Sequence, residues 1–263
     1  LILAKEFGFH PVIIATGDEW RRPDLALSKH HAYISPLLFP ALSKLPEEED
    51  WEQISLDQLR AWDHAPGNPA LISRKAKSLS FTTSGIGLGE FHRNLLKAIE
   101  RGLTKEQALA ALTTTPARIC GIEKSTGTLE RGKLANLVVV EGETYFAEEA
   151  KISSTWIQGR PFQYFNETDA EKDQPTDGNA SKKEPEKRIA KFPHAERKAI
   201  ESPSSVLFTG FKLWTCTEKG ILSNHDLLVK DGKISALGPD LKSKAPKGCK
   251  IVEGKGRHLT PGL

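Results

Sequence analysis

The sequence predicts an α/β protein in which the last βα units of a parallel barrel precede a β-rich part. Apolar strand segments alternate with helical segments over residues 1–122, a pattern typical of parallel βα units. Two amphipathic helices then lead through a tight turn into an apolar strand at 137–140. After a charge-dense segment, residues 206–263 show short strands separated by glycine turns.

Three apolar segments predict the parallel strands of the first part. They lie at 11–16, 31–36 and 79–83, and the first is expected to be a buried parallel strand. Asp18 is expected to cap a short helix over 19–28. Three βα units are too few to close an eight-stranded barrel. We therefore expect the end of a barrel and not a whole one.

The stretch 81–142 carries the clearest local signals. Its first helix should end at Arg101–Gly102, a basic last turn followed by a glycine. Thr104 and Gln107 have the spacing of a capping box, which predicts the start of the next helix. Gly132 then begins the turn into a wholly apolar strand, as expected of a strand buried on both faces.

The remaining segments predict a hairpin, a linker and a second set of strands. Residues 152–165 form a strand, a turn and another strand. Residues 166–203 have mixed charge and few large apolar side chains, so we expect a flexible linker without fixed structure over most of its length. In the following strands, turns are expected at Lys219–Gly220 and Asp231–Gly232.

Composition argues against nucleic-acid and membrane partners. The chain has 263 residues, of which 38% are hydrophobic and 27% charged, and its formal net charge is +3. That charge is too small to indicate nucleic-acid binding. No apolar run approaches the roughly 20 residues that span a bilayer. We expect a soluble protein without a visible signal peptide, and the sequence leaves its compartment open.

Neither the cysteines nor the histidines form a recognisable metal or disulfide pattern. The three cysteines are far apart and include no C-x-x-C pair. The eight histidines include no H-x-H or H-E-x-x-H spacing. The chain has no methionine and stops at Leu263 as a strand begins, from which we expect an internal piece of a longer protein.

The helices and turn of 102–139 resemble the carboxyl-terminal part of the metal-dependent amidohydrolase superfamily, in particular its imidazolonepropionase-like branch. Asn136 stands where that family usually has Asp. The residues that match the family patterns are Gly102, Leu103, Thr104, Gln107, Ala108, Leu109, Ala111, Thr113, Pro116, Ala117, Gly121, Gly127, Leu129, Gly132, Lys133, Ala135, Leu137, Val138 and Val139.

Residues 206–263 resemble the amino-terminal strands of the same family, which lead there into an I-D-x-H-x-H motif whose histidines bind metal. This sequence stops before that motif would occur. The resemblance thus implies the end of a (β/α)8 TIM-type barrel plus strands of a composite β-sandwich. It divides the chain into 1–122, barrel units; 123–165, sandwich strands; 166–203, linker; and 204–263, strands of a second, tandem module.

The resemblance also implies candidate site residues at the strand ends. Family members place a metal-binding His and Asp where this sequence has Thr16 and Ser84, and a hydroxyl replaces neither well. Gly85 follows in a glycine-rich loop, and His64 lies beside Asp63 on a loop. These four (Thr16, His64, Ser84 and Gly85) are pocket candidates, with loop or surface residues as the alternative. No catalytic residue is assigned, and no metal is expected in this chain.

Three functions from different classes remain open. The first is a hydrolase of non-peptide carbon–nitrogen bonds, acting on a small linear or cyclic amide with a divalent metal, most simply zinc, in the intact protein. The second is a degenerate module kept as a scaffold or as a dimerisation surface of a homo-oligomer. The third is a non-catalytic β-rich binding module, supported by the strands of 123–165 and 204–263.

Overall fold

The computed structural model describes residues 2–40, 54–162 and 201–262. The predicted linker falls outside these residues except for 201–203, so its flexibility stays a prediction. Within the described ranges, no helix is long and apolar enough to cross a membrane.

The first part contains a three-stranded parallel sheet. Its strands are β1 (Val12–Ile14), β2 (Ala32–Pro36) and β3 (Ser78–Thr82), in the order β1-β2-β3. Both neighbouring pairs are parallel, with Val12 opposite Ala32 and Ala32 opposite Ser78. The prediction of parallel strands is therefore confirmed.

The expected burial of the first strand is wrong. In β1 the side chains of Val12 and Ile14 are 44% and 74% exposed. The nearest buried side chain is that of Ala15, directly after the strand. Among the described residues β1 lies at the edge of its sheet, so one side of it has no neighbouring strand. Apolar sequence alone did not reveal this edge position.

The single helix expected over 19–28 is also wrong. A 3₁₀ turn covers Glu19–Arg21, and the short helix α2 covers Pro23–Ala26. The break falls at Arg22, because the residue before a proline is pushed out of the helical region. Asp18 does not cap the turn with its side chain and instead forms an ion pair with Arg21 at 3.2 Å.

Helices cover the parallel sheet on the side of β3. Helices α4, α6 and α7 contact this strand. The predicted capping box is present at the start of α6: Gln107 N–H donates to Thr104 Oγ1 at 3.1 Å, and Thr104 N–H donates to Gln107 Oε1 at 3.0 Å. The helices are α1 (Ile2–Glu6), α3 (Leu56–His64), α4 (Asn68–Lys75), α5 (Leu88–Glu100), α6 (Lys105–Leu112) and α7 (Thr114–Ile119).

The β-rich part forms one mixed sheet of eight strands among the described residues. Their order is β6-β5-β4-β11-β7-β8-β9, and β10 also pairs with β7. The predicted turn between β8 and β9 is present, with Asp231 and Gly232 at φ +48° and +74°, the left-handed pair of a tight hairpin. The strands are β4 (Leu137–Glu141), β5 (Lys151–Ile157), β6 (Arg160–Phe162), β7 (Ser205–Trp214), β8 (Ile221–Lys230), β9 (Lys233–Gly238), β10 (Lys250–Glu253) and β11 (His258–Pro261).

Strand β11 joins the segments on either side of residues 163–200. It runs antiparallel to β4, with Leu259 opposite Val139, and parallel to β7, with His258 opposite Lys212. This pairing places the strands before residue 163 and those after residue 200 in one sheet. The predicted boundary between two modules at residue 204 stays a prediction.

The eight-stranded sheet curls around its own core. Ala135 N–H donates to Gly232 O at 2.8 Å, which brings the segment before β4 against the β8–β9 turn. Inside the curl, the rings of Trp156 and Phe208 meet edge to face at 4.9 Å. The core is therefore shared by strands from both sides of residues 163–200.

Candidate functional site

The carboxyl ends of the three parallel strands lie side by side and form the candidate site. A Cβ on Gly17, after β1, would lie 4.0 Å from Leu38 O, and a Cβ on Gly85, after β3, would lie 3.8 Å from Leu38 Cδ2. Thr16 and Ser84, beside these glycines, therefore occupy the same sheet edge. In open α/β sheets this edge is the usual place for a ligand.

A buried carboxylate holds the end of β1. Glu19 is 7% exposed. Its Oε1 accepts hydrogen bonds from Thr16 N–H at 2.7 Å and from Thr16 Oγ1 at 3.1 Å. Its Oε2 accepts from Gly17 N–H at 3.2 Å and from the side-chain amide of Asn68 at 2.7 Å. Four donors thus converge on one carboxylate.

These donors keep Glu19 ionised. Burial raises its pKa, but the hydrogen bonds from Asn68 and Thr16 outweigh this effect, and the net pKa lies below the ordinary value. Because both carboxylate oxygens already accept two hydrogen bonds each, the group orders the segment after β1. It has little capacity left to bind a ligand or accept a proton.

Sequence reasoning missed Glu19 and its link to Asn68. A usable signal was present, since Thr16 and Glu19 have the spacing of a capping box. The structure shows half of that motif, with the Glu19 side chain accepting from Thr16 N–H. The Asn68 contact spans 49 residues of chain and has no local signature.

His64 lies near this cluster but is held by stacking. Its ring is 5.1 Å from that of Trp20 with an interplanar angle of 27°. Trp20 follows Glu19 directly, so this stacking places His64 beside the 3₁₀ turn of Glu19–Arg21. The neighbouring Asp63 forms an ion pair with Arg101 at 3.0 Å. The expected loop position of His64 and Asp63 is wrong, because both residues lie in the last turn of α3. His64 is exposed, which agrees with the alternative that it is a surface residue.

Ser84 and Gly85 form an exposed turn after β3. Ser84 N–H donates to Thr82 Oγ1 at 3.1 Å, and both Ser84 and Gly85 are exposed. Gly85 has φ +78°, a left-handed conformation that favours glycine. The structure therefore gives this pair a turn-forming role, and their place in a pocket stays a prediction.

The donors at this edge do not fit a divalent metal. Thr16 and Ser84 offer hydroxyl groups, and the carboxylate of Glu19 is saturated with hydrogen bonds. Across the ranges that the structure describes, no three His, Cys, Asp or Glu side chains are grouped so that they could hold a metal ion. A stable zinc site needs three or four such ligands.

Two further cavities lie beside the turn between β7 and β8, and only the smaller one is also lined by helix residues. A cleft of about 850 Å³ and a pocket of about 470 Å³ share Cys216 and Thr217 in their walls. Burial raises the pKa of the Cys216 thiol to about 11. The thiol is therefore protonated at neutral pH and is a poor nucleophile.

Comparison with known protein families gives a match for one segment of the chain. Residues 64–162 match the model of the amidohydrolase family. The match begins at His64 in α3 and ends at Phe162 in β6, so it includes Ser84 and leaves out Thr16, Glu19 and residues 201–262.

The solved structures include one similar chain. The crystal structure of an amidohydrolase from Thermotoga maritima MSB8 is 25% identical, with a TM-score of 0.47. The alignment covers 62% of this chain and 39% of that one, so this chain spans well under half of its relative. No curated protein matches this sequence significantly.

Proposed function

We propose that this chain is part of a metal-dependent amidohydrolase of the imidazolonepropionase-like branch. The intact protein hydrolyses a carbon–nitrogen bond other than a peptide bond, in a small linear or cyclic amide. Its divalent metal, zinc in our expectation, is held by residues other than those described above. The observation that carries this proposal is the family match over residues 64–162.

Within that enzyme, the β1–β3 edge serves as a scaffold and not as a metal centre. The support is the engagement of Glu19 by four donors, together with hydroxyl side chains at Thr16 and Ser84. A carboxylate that anchors a metal and accepts a proton needs free lone pairs. The lone pairs of the Glu19 carboxylate already accept hydrogen bonds from Thr16, Gly17 and Asn68.

In this proposal the strands of 123–165 and 204–263 are sandwich strands of amidohydrolase modules. This proposal is supported by the pairing of β11, from the second set of strands, with β4, from the first set. The chain is then a piece that contains the end of one module and the start of another, and the first module is catalytically degenerate.

A binding function of the β-rich part is the second candidate. It is favoured by the cleft of about 850 Å³, which is lined by residues 128–131, 216–219 and 235–237. In that case the chain would retain a small molecule without hydrolysing it. A scaffold or dimerisation role is the third, and the exposed Val12 and Ile14 of β1 favour it.

Elemental analysis tests the proposal that the β1–β3 edge is not a metal centre. Zinc, iron and manganese are measured after dialysis of the purified 263-residue chain, and we expect far less than one equivalent of each. One tightly held equivalent that is lost in Ser84→Ala or His64→Ala, but kept in the control His30→Ala, would place a metal centre at the β1–β3 edge and overturn the proposal. His30 is exposed and precedes β2, at the opposite end of the strands.

A further inference from the structure

Four aromatic rings form a seam between the helical part and the eight-stranded sheet. This aromatic seam consists of Tyr145 and Phe146 after β4, Trp214 at the end of β7 and His258 at the start of β11. The Trp214 ring lies 5.7 Å from Tyr145, 6.0 Å from Phe146 and 5.9 Å from His258. Phe146 and Trp214 also belong to the apolar core of the helical part.

One hydrogen bond determines which ring nitrogen of His258 carries the proton. Trp214 Nε1 and His258 Nδ1 are 2.9 Å apart. An indole N–H can only donate, so Nδ1 must accept with its lone pair. His258 is 1% exposed and Trp214 7%, so water cannot easily replace this bond. The proton of the neutral imidazole therefore lies on Nε2.

A second proton on His258 would break this arrangement. It could bind only at Nδ1, where it would face the indole N–H across 2.9 Å. Nε2 is buried without a geometrically good hydrogen bond among the described residues. The imidazolium would thus lose its link to Trp214 while carrying a buried charge, which is costly without a paired partner.

The surroundings of His258 oppose the charge. Burial and Lys212 on β7 lower its pKa, the backbone of Gly142 and Glu143 raises it, and the net pKa lies below the ordinary value. Glu143 is exposed at the loop, and Arg257 next in the chain pairs with Glu141 at 3.2 Å. Among the residues that the structure describes, no acidic side chain forms a hydrogen bond or an ion pair with the His258 ring.

The other titratable groups of the seam stay neutral over the same range. Burial raises the pKa values of both Tyr145 and Cys216, the latter to about 11. His258 is thus the titratable group of this seam whose ordinary pKa lies nearest to neutral pH, and burial lowers that pKa.

We propose that His258 is a proton-sensitive latch between the ends of β7 and β11. Uptake of one solvent proton at Nδ1 breaks the hydrogen bond from Trp214 Nε1 and frees the Trp214 side chain from β11. The pocket of about 470 Å³, which is lined by Trp214 and Cys216, changes shape in the same step. This switch is independent of the proposed hydrolase function.

Indole NMR of the ¹⁵N-labelled full chain tests the latch. The Trp214 resonance is assigned with Trp214→Phe, and the pH is lowered from 7.5 to 5. We expect the Trp214 indole signal to shift or broaden with a midpoint below 6.5, matching the titration of the His258 ring. The Trp156 indole is the control, because its N–H donates to the hydroxyl of Ser154 at 3.1 Å and not to a histidine.

Two variants decide the outcome. In His258→Gln, which keeps an acceptor for Trp214 but cannot take up a proton, the pH-dependent shift should disappear. In Trp214→Phe, the His258 pKa should rise, because the bond that favours the neutral ring is gone. An unchanged His258 pKa in Trp214→Phe, a persistent shift in His258→Gln, or simultaneous loss of the Trp156 signal through global unfolding would each overturn the latch.

Discussion

The side-chain amide of Asn68 donates to the buried Glu19 carboxylate at 2.7 Å and thereby ties the start of α4 to the end of β1. Thr16 and Gly17 supply the other donors to this carboxylate. The result is a strand end ordered by internal hydrogen bonds, at a place where the sequence resemblance led us to compare Thr16 with a metal ligand. This difference motivates the first two predictions.

Glu19→Gln should destabilise the chain by about 1–3 kcal/mol, because its amide nitrogen would face donors that need an acceptor. The measurement is the free energy of unfolding in urea at pH 7. Glu123→Gln is the matched control, since Glu123 is exposed, and it should change stability by less than about 0.5 kcal/mol. Equal stability of the two variants would show that the carboxylate does not order this region.

The contribution of Glu19 should also depend on pH. Its pKa is lower in the folded chain than in the unfolded one, where it is near 4.5. Since the unfolded state then binds the proton first, this stability is present above about pH 4.5 and is lost as the pH falls toward the folded pKa. The stability difference between the wild type and Glu19→Gln should therefore shrink from pH 6 to pH 3. A difference that grows on acidification would contradict this sign.

Gly254 should not tolerate a side chain. A Cβ there would lie 2.5 Å from Gly210 O and 2.7 Å from Gly210 C, where β10 ends beside β7. We expect Gly254→Ala to cost about 1–3 kcal/mol through displacement of these strands. Gly89→Ala is the control, because nothing lies within 4 Å of its Cβ position in α5. If both variants melt at the same temperature as the wild type, the close approach is absent in solution.

Local signals in the sequence were sufficient for several elements. The capping box of Thr104 and Gln107 and the turn at Asp231–Gly232 depend on residues a few positions apart, and both are present. The break at Arg22 could also have been predicted, because Pro23 follows it. For such features the nearest neighbours along the chain decide the conformation.

Features that depend on distant residues could not be predicted in the same way. The exposure of Val12 and Ile14 follows from the edge position of β1. Neither the spacing of apolar residues nor the hydrophobicity of the segment predicts that position. The contact between Glu19 and Asn68 requires the fold to bring α4 beside the end of β1. At the candidate site, sequence therefore located the strand ends but missed the carboxylate that orders them.

The strongest connection between the two halves of the chain is β11, and it predicts that the halves stay together when the chain is cut. A specific protease site placed between residues 170 and 188 would give two pieces. Leu259 is 0% exposed and lies opposite Val139 of β4, in a core shared by both pieces.

After cleavage we expect the two pieces to elute as one species in size-exclusion chromatography without denaturant, because strand pairing and the shared core do not need the covalent connection. Leu259→Ala should weaken this association by about 2–5 kcal/mol through the cavity it leaves. The control Ile251→Ala, on a side chain that is 56% exposed in β10, should elute like the cleaved wild type. Separation of the wild-type pieces at micromolar concentration would show that β11 does not hold the sheet together.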